Sequence, residues 1–83
     1  MNRYICIYRG DYKLPLMTSI YRKNWREAAE KAKIMLKQNG SHRGYISCEI
    51  WNAVSEELCC QVSVEKELYG SLASVTVIYP NQK

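Results

Sequence analysis

Apolar positions recur every second residue near both ends of the chain, and at helical spacing only in the middle. Residues 3–9 read as a first strand, with Ile5 and Ile7 on one face and Tyr4, Cys6 and Tyr8 on the other. Gly10-Asp11 supplies a turn, and a second strand follows over about 14–21. Pro15 has no N–H to give a ladder, so it belongs at that strand's start or on an edge. The two strands are expected to form a hairpin.

The period then changes. Asn24 is placed to cap a helix over 25 to about 38, with Glu27 at the third helical position, Lys37 in the last turn and Gly40 as the stop. At 100° per residue, Trp25, Ala28, Ala29, Ala32, Met35 and Leu36 gather on one face, and the three alanines there permit close approach to a sheet. Arg26, Lys33 and Lys37 share a flank with Glu30, and Ile34 points almost directly away from the apolar face. Period two returns at 44–51, with Ile46, Cys48 and Ile50 expected inward and Tyr45, Ser47, Glu49 and Trp51 outward. It continues at 58–65, with Leu58, Cys60, Val62 and Val64 inward, and at 72–79, before Pro80. Turns are expected at 52–57 and, through Gly70, at 66–71.

The order is β-β-α-β-β-β. Short connections favour hairpins, so the expected fold is α+β, with one helix packed on one face of a largely antiparallel sheet of four to five strands. Residues 1–83 read as one domain, and no internal repeat or linker divides them.

Composition narrows the function classes. With 47% apolar and 24% charged residues the chain has the makeup of a folded domain rather than a disordered one. No run approaches the ~18 apolar residues of a membrane span, and the N-terminal apolar run is too short for a signal-peptide core, so a cytoplasmic location is expected. Cys6, Cys48, Cys59 and Cys60 lack metal-ligand spacing and His42 is the single histidine, so neither a metal nor a cofactor is expected, and the cysteines read as buried free thiols. A nucleophile needs a base within reach, and His42 between Ser41 and Arg43 shows no partner in sequence. The four glycines are scattered turn residues rather than a phosphate loop. The chain reads as a binding protein and not an enzyme.

Charge shows where the binding lies. Residues 1–43 hold ten Lys and Arg against three acids, a balance of +7, while 44–83 hold two against five, a balance of −3. One basic surface is implied, facing a polyanion or an acidic protein patch. Arg22, Lys23, Arg26, Lys33, Lys37 and Arg43 are its expected contacts, with Ile34 as an apolar centre. A helix of this length spans about 21 Å, enough to meet several phosphates spaced at about 3.4 Å. The other reading of these charges is a solvated flank with Glu27–Lys31 and Arg26–Glu30 pairs. A second candidate is the sheet's outer face, where Tyr4, Tyr8, Tyr45 and Trp51 are expected together, able to stack bases or anchor a protein.

The stretch Trp25-Arg26-Glu27-Ala28-Ala29-Glu30-Lys31-Ala32-Lys33-Ile34-Met35-Leu36, followed by Gly40-Ser41-His42-Arg43-Gly44 and an alternating strand, resembles the Ala-rich helix and next strand of very small phage-encoded proteins. Among these are anti-CRISPR proteins that inhibit type I surveillance complexes. The likeness lies in topology and patterning. It implies a non-enzymatic inhibitor in the bacterial cytosol that binds a CRISPR effector ribonucleoprotein and blocks target DNA. Some such inhibitors are acidic DNA mimics; the basic first half of this chain implies instead docking on an acidic protein surface, or contact with guide RNA or DNA. The alternatives are a basic module that binds single-stranded nucleic acid or duplex backbone by itself, and an oligomeric interaction protein such as a homodimer.

Overall fold

The computed structural model describes residues 1–10, 14–37, 45–66 and 72–78, with side chains through residue 63. The elements are β1 (Asn2–Gly10), β2 (Leu16–Arg22), α1 (Trp25–Met35), β3 (Tyr45–Asn52), β4 (Leu58–Lys66) and β5 (Leu72–Ile78). The strands form one sheet in the order β2-β1-β3-β4-β5, antiparallel at every step, with α1 against one face. This is the α+β arrangement expected from the periodicities. β2 and β3 both run antiparallel to β1 and therefore parallel to each other. Parallel strands require a long crossover, and α1 provides it.

Asn24 caps α1 from extended backbone (φ −151°, ψ 172°), its side-chain oxygen accepting the Glu27 N–H at 3.0 Å. The α-helix closes at Met35, short of residue 38, where the Leu36 N–H is shared between the Ala32 and Lys33 carbonyls. Leu36 itself is fully buried, so the closing turn also completes the core. The turn at 11–13, the Gly40 stop, the loop containing His42 and Arg43, the Gly70 turn, the inward placement of Val64 and the strand end at Pro80 lie outside the described residues.

The core inverts the faces expected for β1. Tyr4, Cys6 and Tyr8 lie under the helix, at most 4% exposed, while Ile5 and Ile7 take the open face. Apolar residues occupy both faces of β1, so alternation alone could not choose between them. Volume does. Against the sheet α1 presents Ala28, Ala29 and Ala32, and the neighbouring sheet positions hold the small Cys6, Cys48 and Cys60. The two tyrosine rings fill the space these short side chains leave, as close packing demands.

Two bulges shift faces elsewhere. Arg9 pairs with Ser47 and Gly10 with Tyr45, so Ile46 drops out of the ladder and Tyr45 swings onto the helix face. Ile50 pairs with Cys60 and Trp51 with Leu58, so Cys59 is the extra residue and Leu58 joins Trp51 rather than the core. The turn between β3 and β4 is tied by Asn52, whose Oδ1 accepts the N–H groups of Val54 (2.8 Å) and Ser55 (3.0 Å). Among the described residues no helix is long and apolar enough to cross a membrane.

Candidate binding surface

Residues 22–37 hold six cations, Arg22, Lys23, Arg26, Lys31, Lys33 and Lys37, against two acids, Glu27 and Glu30. Their balance of +4 equals that of the whole chain. The remainder holds six cations and six acids and is neutral in sum; α1 itself carries +1, and Arg22, Lys23 and Lys37 beside its two ends supply the rest.

The helix divides these cations into two flanks. Arg26, Lys33 and Lys37 lie on one side, where the charge of Lys33 is felt by Cys60 on β4. Lys31 and Met35 lie on the other, beside Arg22 at the end of β2, and the charges of Arg22 and Lys31 are felt by Cys6 on β1. Between them runs a ridge of Glu27, Glu30 and the 53%-exposed Ile34. The expected single patch is thus two basic strips astride an acidic ridge with an apolar centre. Arg22, Glu27, Glu30, Lys31, Ile34 and Met35 line one shallow groove of about 380 Å³ on the β2 side. Lys31 was not among the expected contacts. Its sequence signal was weak, because an i, i+4 glutamate made it read as half of a surface ion pair.

Local contacts decide which cations are available. Lys33 Nζ donates to Glu30 Oε1 at 2.8 Å, an i, i+3 pair and not either of the i, i+4 pairs of the solvated-flank reading. The Arg26 guanidinium sits 4.5 Å from the centroid of the Trp25 ring, which holds the arginine along the flank while leaving its charge outward. Arg22 Nη1 donates to the Tyr21 carbonyl at 2.7 Å. Of the six cations, Lys33 alone is in an ion pair among the described residues. Arg43 lies outside the described residues.

The expected aromatic platform is not assembled. Tyr4 and Tyr8 are in the core, and Tyr45 meets Tyr8 edge to face beside it. Trp51 remains on the open face, where its Nε1 donates to Glu49 Oε1 at 3.0 Å while Glu49 Oε2 accepts from Arg9 Nε at 3.2 Å. Arg3 Nε donates to Ser19 Oγ at 2.9 Å on the same face. The open face therefore carries Ile5, Ile7, Met17, Tyr21 and Trp51 among polar pairs, and of the four expected rings it keeps Trp51 alone.

Cys6, Cys48 and Cys60 are buried under the helix as expected, whereas Cys59, at the β4 bulge, is only half-buried. Burial pushes Cys60 up to about 11 and also raises Cys59; Cys48 is held well above the ordinary thiol range by its contact with Cys6 and by burial. At neutral pH Cys48, Cys59 and Cys60 are protonated and poor nucleophiles. Among the described residues no group of three or more His, Cys, Asp or Glu is arranged to hold a metal ion. Comparison with protein-family models, curated proteins and solved structures finds no match to this chain.

Proposed function

We propose that the protein is a non-enzymatic inhibitor of the anti-CRISPR type, acting in the bacterial cytosol. In this reading it docks its helical layer on a type I surveillance complex and blocks target DNA by occupying the surface the DNA would use. One observation carries the reading: residues 22–37, which run from the end of β2 through α1 and just past it, carry a balance equal to the chain's whole net charge, and among the described residues Lys33 alone of their six cations is in an ion pair. A surface of this kind attracts a polyanion or an acidic protein patch over several ångströms and orients the encounter. The named target rests on the resemblance of the helix and following strand to small phage-encoded inhibitors. Arg26, Lys33 and Lys37 form one contact strip and Arg22 with Lys31 the other; Lys23 sits at the helix entrance and Ile34 stands between the strips.

The burial of Tyr4 and Tyr8 weighs against single-strand stacking as the mode of binding, because stacking needs exposed ring faces. The test is affinity capture from lysates of bacteria that carry type I systems, washed at moderate salt, with and without nuclease. A surveillance complex retained after nuclease supports the reading. Nucleic acid alone, lost after nuclease, replaces it with an autonomous nucleic-acid-binding module.

A further inference from the structure

Among the described residues β2 is an edge of the sheet, and its outer side can be read from the hydrogen bonds of β1. The Ala53 N–H donates to the Arg3 carbonyl at 3.1 Å, so the odd-numbered residues of β1 direct their backbone groups toward β3. Arg3 is opposite Tyr21, Ile5 opposite Ser19 and Ile7 opposite Met17. The backbone N–H and C=O groups of Met17, Ser19 and Tyr21 therefore point away from β1, to the free edge. The Arg22 side chain bonding the Tyr21 carbonyl agrees with this, since that oxygen lies on the outer side.

Free edges are usually blunted by Lys, by Pro or by a bulge. β2 has none of these between Leu16 and Arg22. Its pairing with β1 runs without a register shift, whereas each of the other three strand pairs has one. Pro15 and Lys23 bracket the strand and confine any further pairing to the residues between them.

We infer that β2 pairs with β2 of a second copy, antiparallel about a two-fold axis at Ser19, joining two sheets into one. The strand is chemically symmetric about that residue. Met17 (65% exposed) faces the partner copy's Tyr21 (58% exposed), a sulfur–aromatic pair made twice. Thr18 faces Ile20, both half-buried, and Ser19 faces itself. Leu16, 41% exposed, faces Arg22, the strand's single charge. The two Arg22 residues then stand at opposite ends of the ladder, about 20 Å apart at ~3.4 Å per residue and beyond the Debye length. The backbone groups of Met17, Ser19 and Tyr21 all find partners, the Tyr21 oxygen sharing its second lone pair with the new strand. Because the axis is perpendicular to the sheet, both helices lie on the same face. The two Arg22–Lys31 grooves, each on the β2 side of its helix, face one another across the axis.

The experiment is molecular mass against concentration by sedimentation equilibrium, for the full chain and for Ser19→Glu. The substitution suits the single copy, because Arg3 already bonds the Ser19 side chain, but it sets two carboxylates against each other at the axis. The wild type is expected to move from 9.7 kDa toward twice that mass, and Ser19→Glu to dimerise about tenfold or more weakly with an unchanged circular dichroism spectrum. A wild type that stays at monomer mass throughout, or a dimer indifferent to Ser19→Glu, overturns the inference. Should Ser19→Glu fail to fold, oxidation of Ser19→Cys in a Cys59→Ser background decides. A disulfide-linked dimer that Leu16→Cys does not give in the same background supports the two-fold at Ser19, and equal or absent cross-linking at both positions refutes it.

Discussion

The rings of Tyr8 and Tyr45 meet edge to face, their centroids 6.2 Å apart at 62°. Tyr45 is odd-numbered on β3, and regular alternation would put it on the opposite face from Cys48 and Ile50. Only the bulge at Ile46 turns it toward Tyr8. Gly10, directly across from Tyr45, has no side chain to obstruct the ring.

If Tyr8 fills the space above the cysteines, removing its ring leaves a cavity that the alanine face of α1 cannot close. Tyr8→Ala is expected to cost about 3–5 kcal/mol. Ile7→Ala, on the open face, is expected to cost clearly less, about 1–2 kcal/mol, because its neighbours are already partly wet. Urea denaturation of the two variants checks this; equal losses would mean that the faces of β1 are misassigned.

The element order was legible because period two and period 3.6 alternate cleanly and Asn24 marks the helix start. Residues such as Tyr8 and Leu58 were not legible for two separate reasons. β1 is apolar on both faces, so its orientation depends on the volumes of side chains that come from elsewhere in the chain. The bulges at Ile46 and Cys59 each insert one residue, which reverses alternation beyond them without leaving a glycine or proline as a mark. The charge bias toward the helix was visible in the sequence. Its division into two strips needed the helix axis to be placed relative to β2 and β4.

Asn24 satisfies the Glu27 N–H at the start of the helix that bears the basic strips. Asn24→Ala is expected to lower stability by about 1 kcal/mol, and Asn24→Asp to be nearly neutral, since aspartate caps as well and favours the positive helix end. Thermal denaturation followed at 222 nm measures both.

The buried thiols give stability a pH dependence on the alkaline side. Cys60 titrates at about 11 in the folded chain and near 9 when exposed. Its contribution is complete below about pH 9 and is lost as pH rises toward 11, because the unfolded chain sheds the proton first. The loss from this group reaches about 2 kcal/mol by pH 11. Denaturation midpoints between pH 7 and 11 should fall in wild type, and fall less in Cys60→Ala measured against its own pH 7 value.

Glu56 closes the β3–β4 turn at φ 61°, in the left-handed region that costs a residue with a Cβ about 1–2 kcal/mol. Glycine relieves this but loses more freedom on folding, about 0.5–1 kcal/mol. Glu56→Gly should therefore be neutral to stabilising, by up to about 1 kcal/mol, and Glu56→Val destabilising by a similar amount or more. Their melting temperatures should fall on opposite sides of wild type, or with the glycine variant level with it.

The proposed inhibition is tested most directly with purified type I surveillance complexes of several subtypes and a labelled target duplex. Binding of the duplex is measured after preincubation with wild type and with Arg26→Glu/Lys37→Glu, which reverses one strip and spares the Lys33–Glu30 pair. Wild type is expected to abolish duplex binding by at least one subtype, and the double variant, folded by circular dichroism, to need about tenfold more protein for the same effect. Undiminished duplex binding at saturating wild-type protein in every subtype would contradict the proposal, as would inhibition fully explained by salt-sensitive binding of the protein to the free duplex.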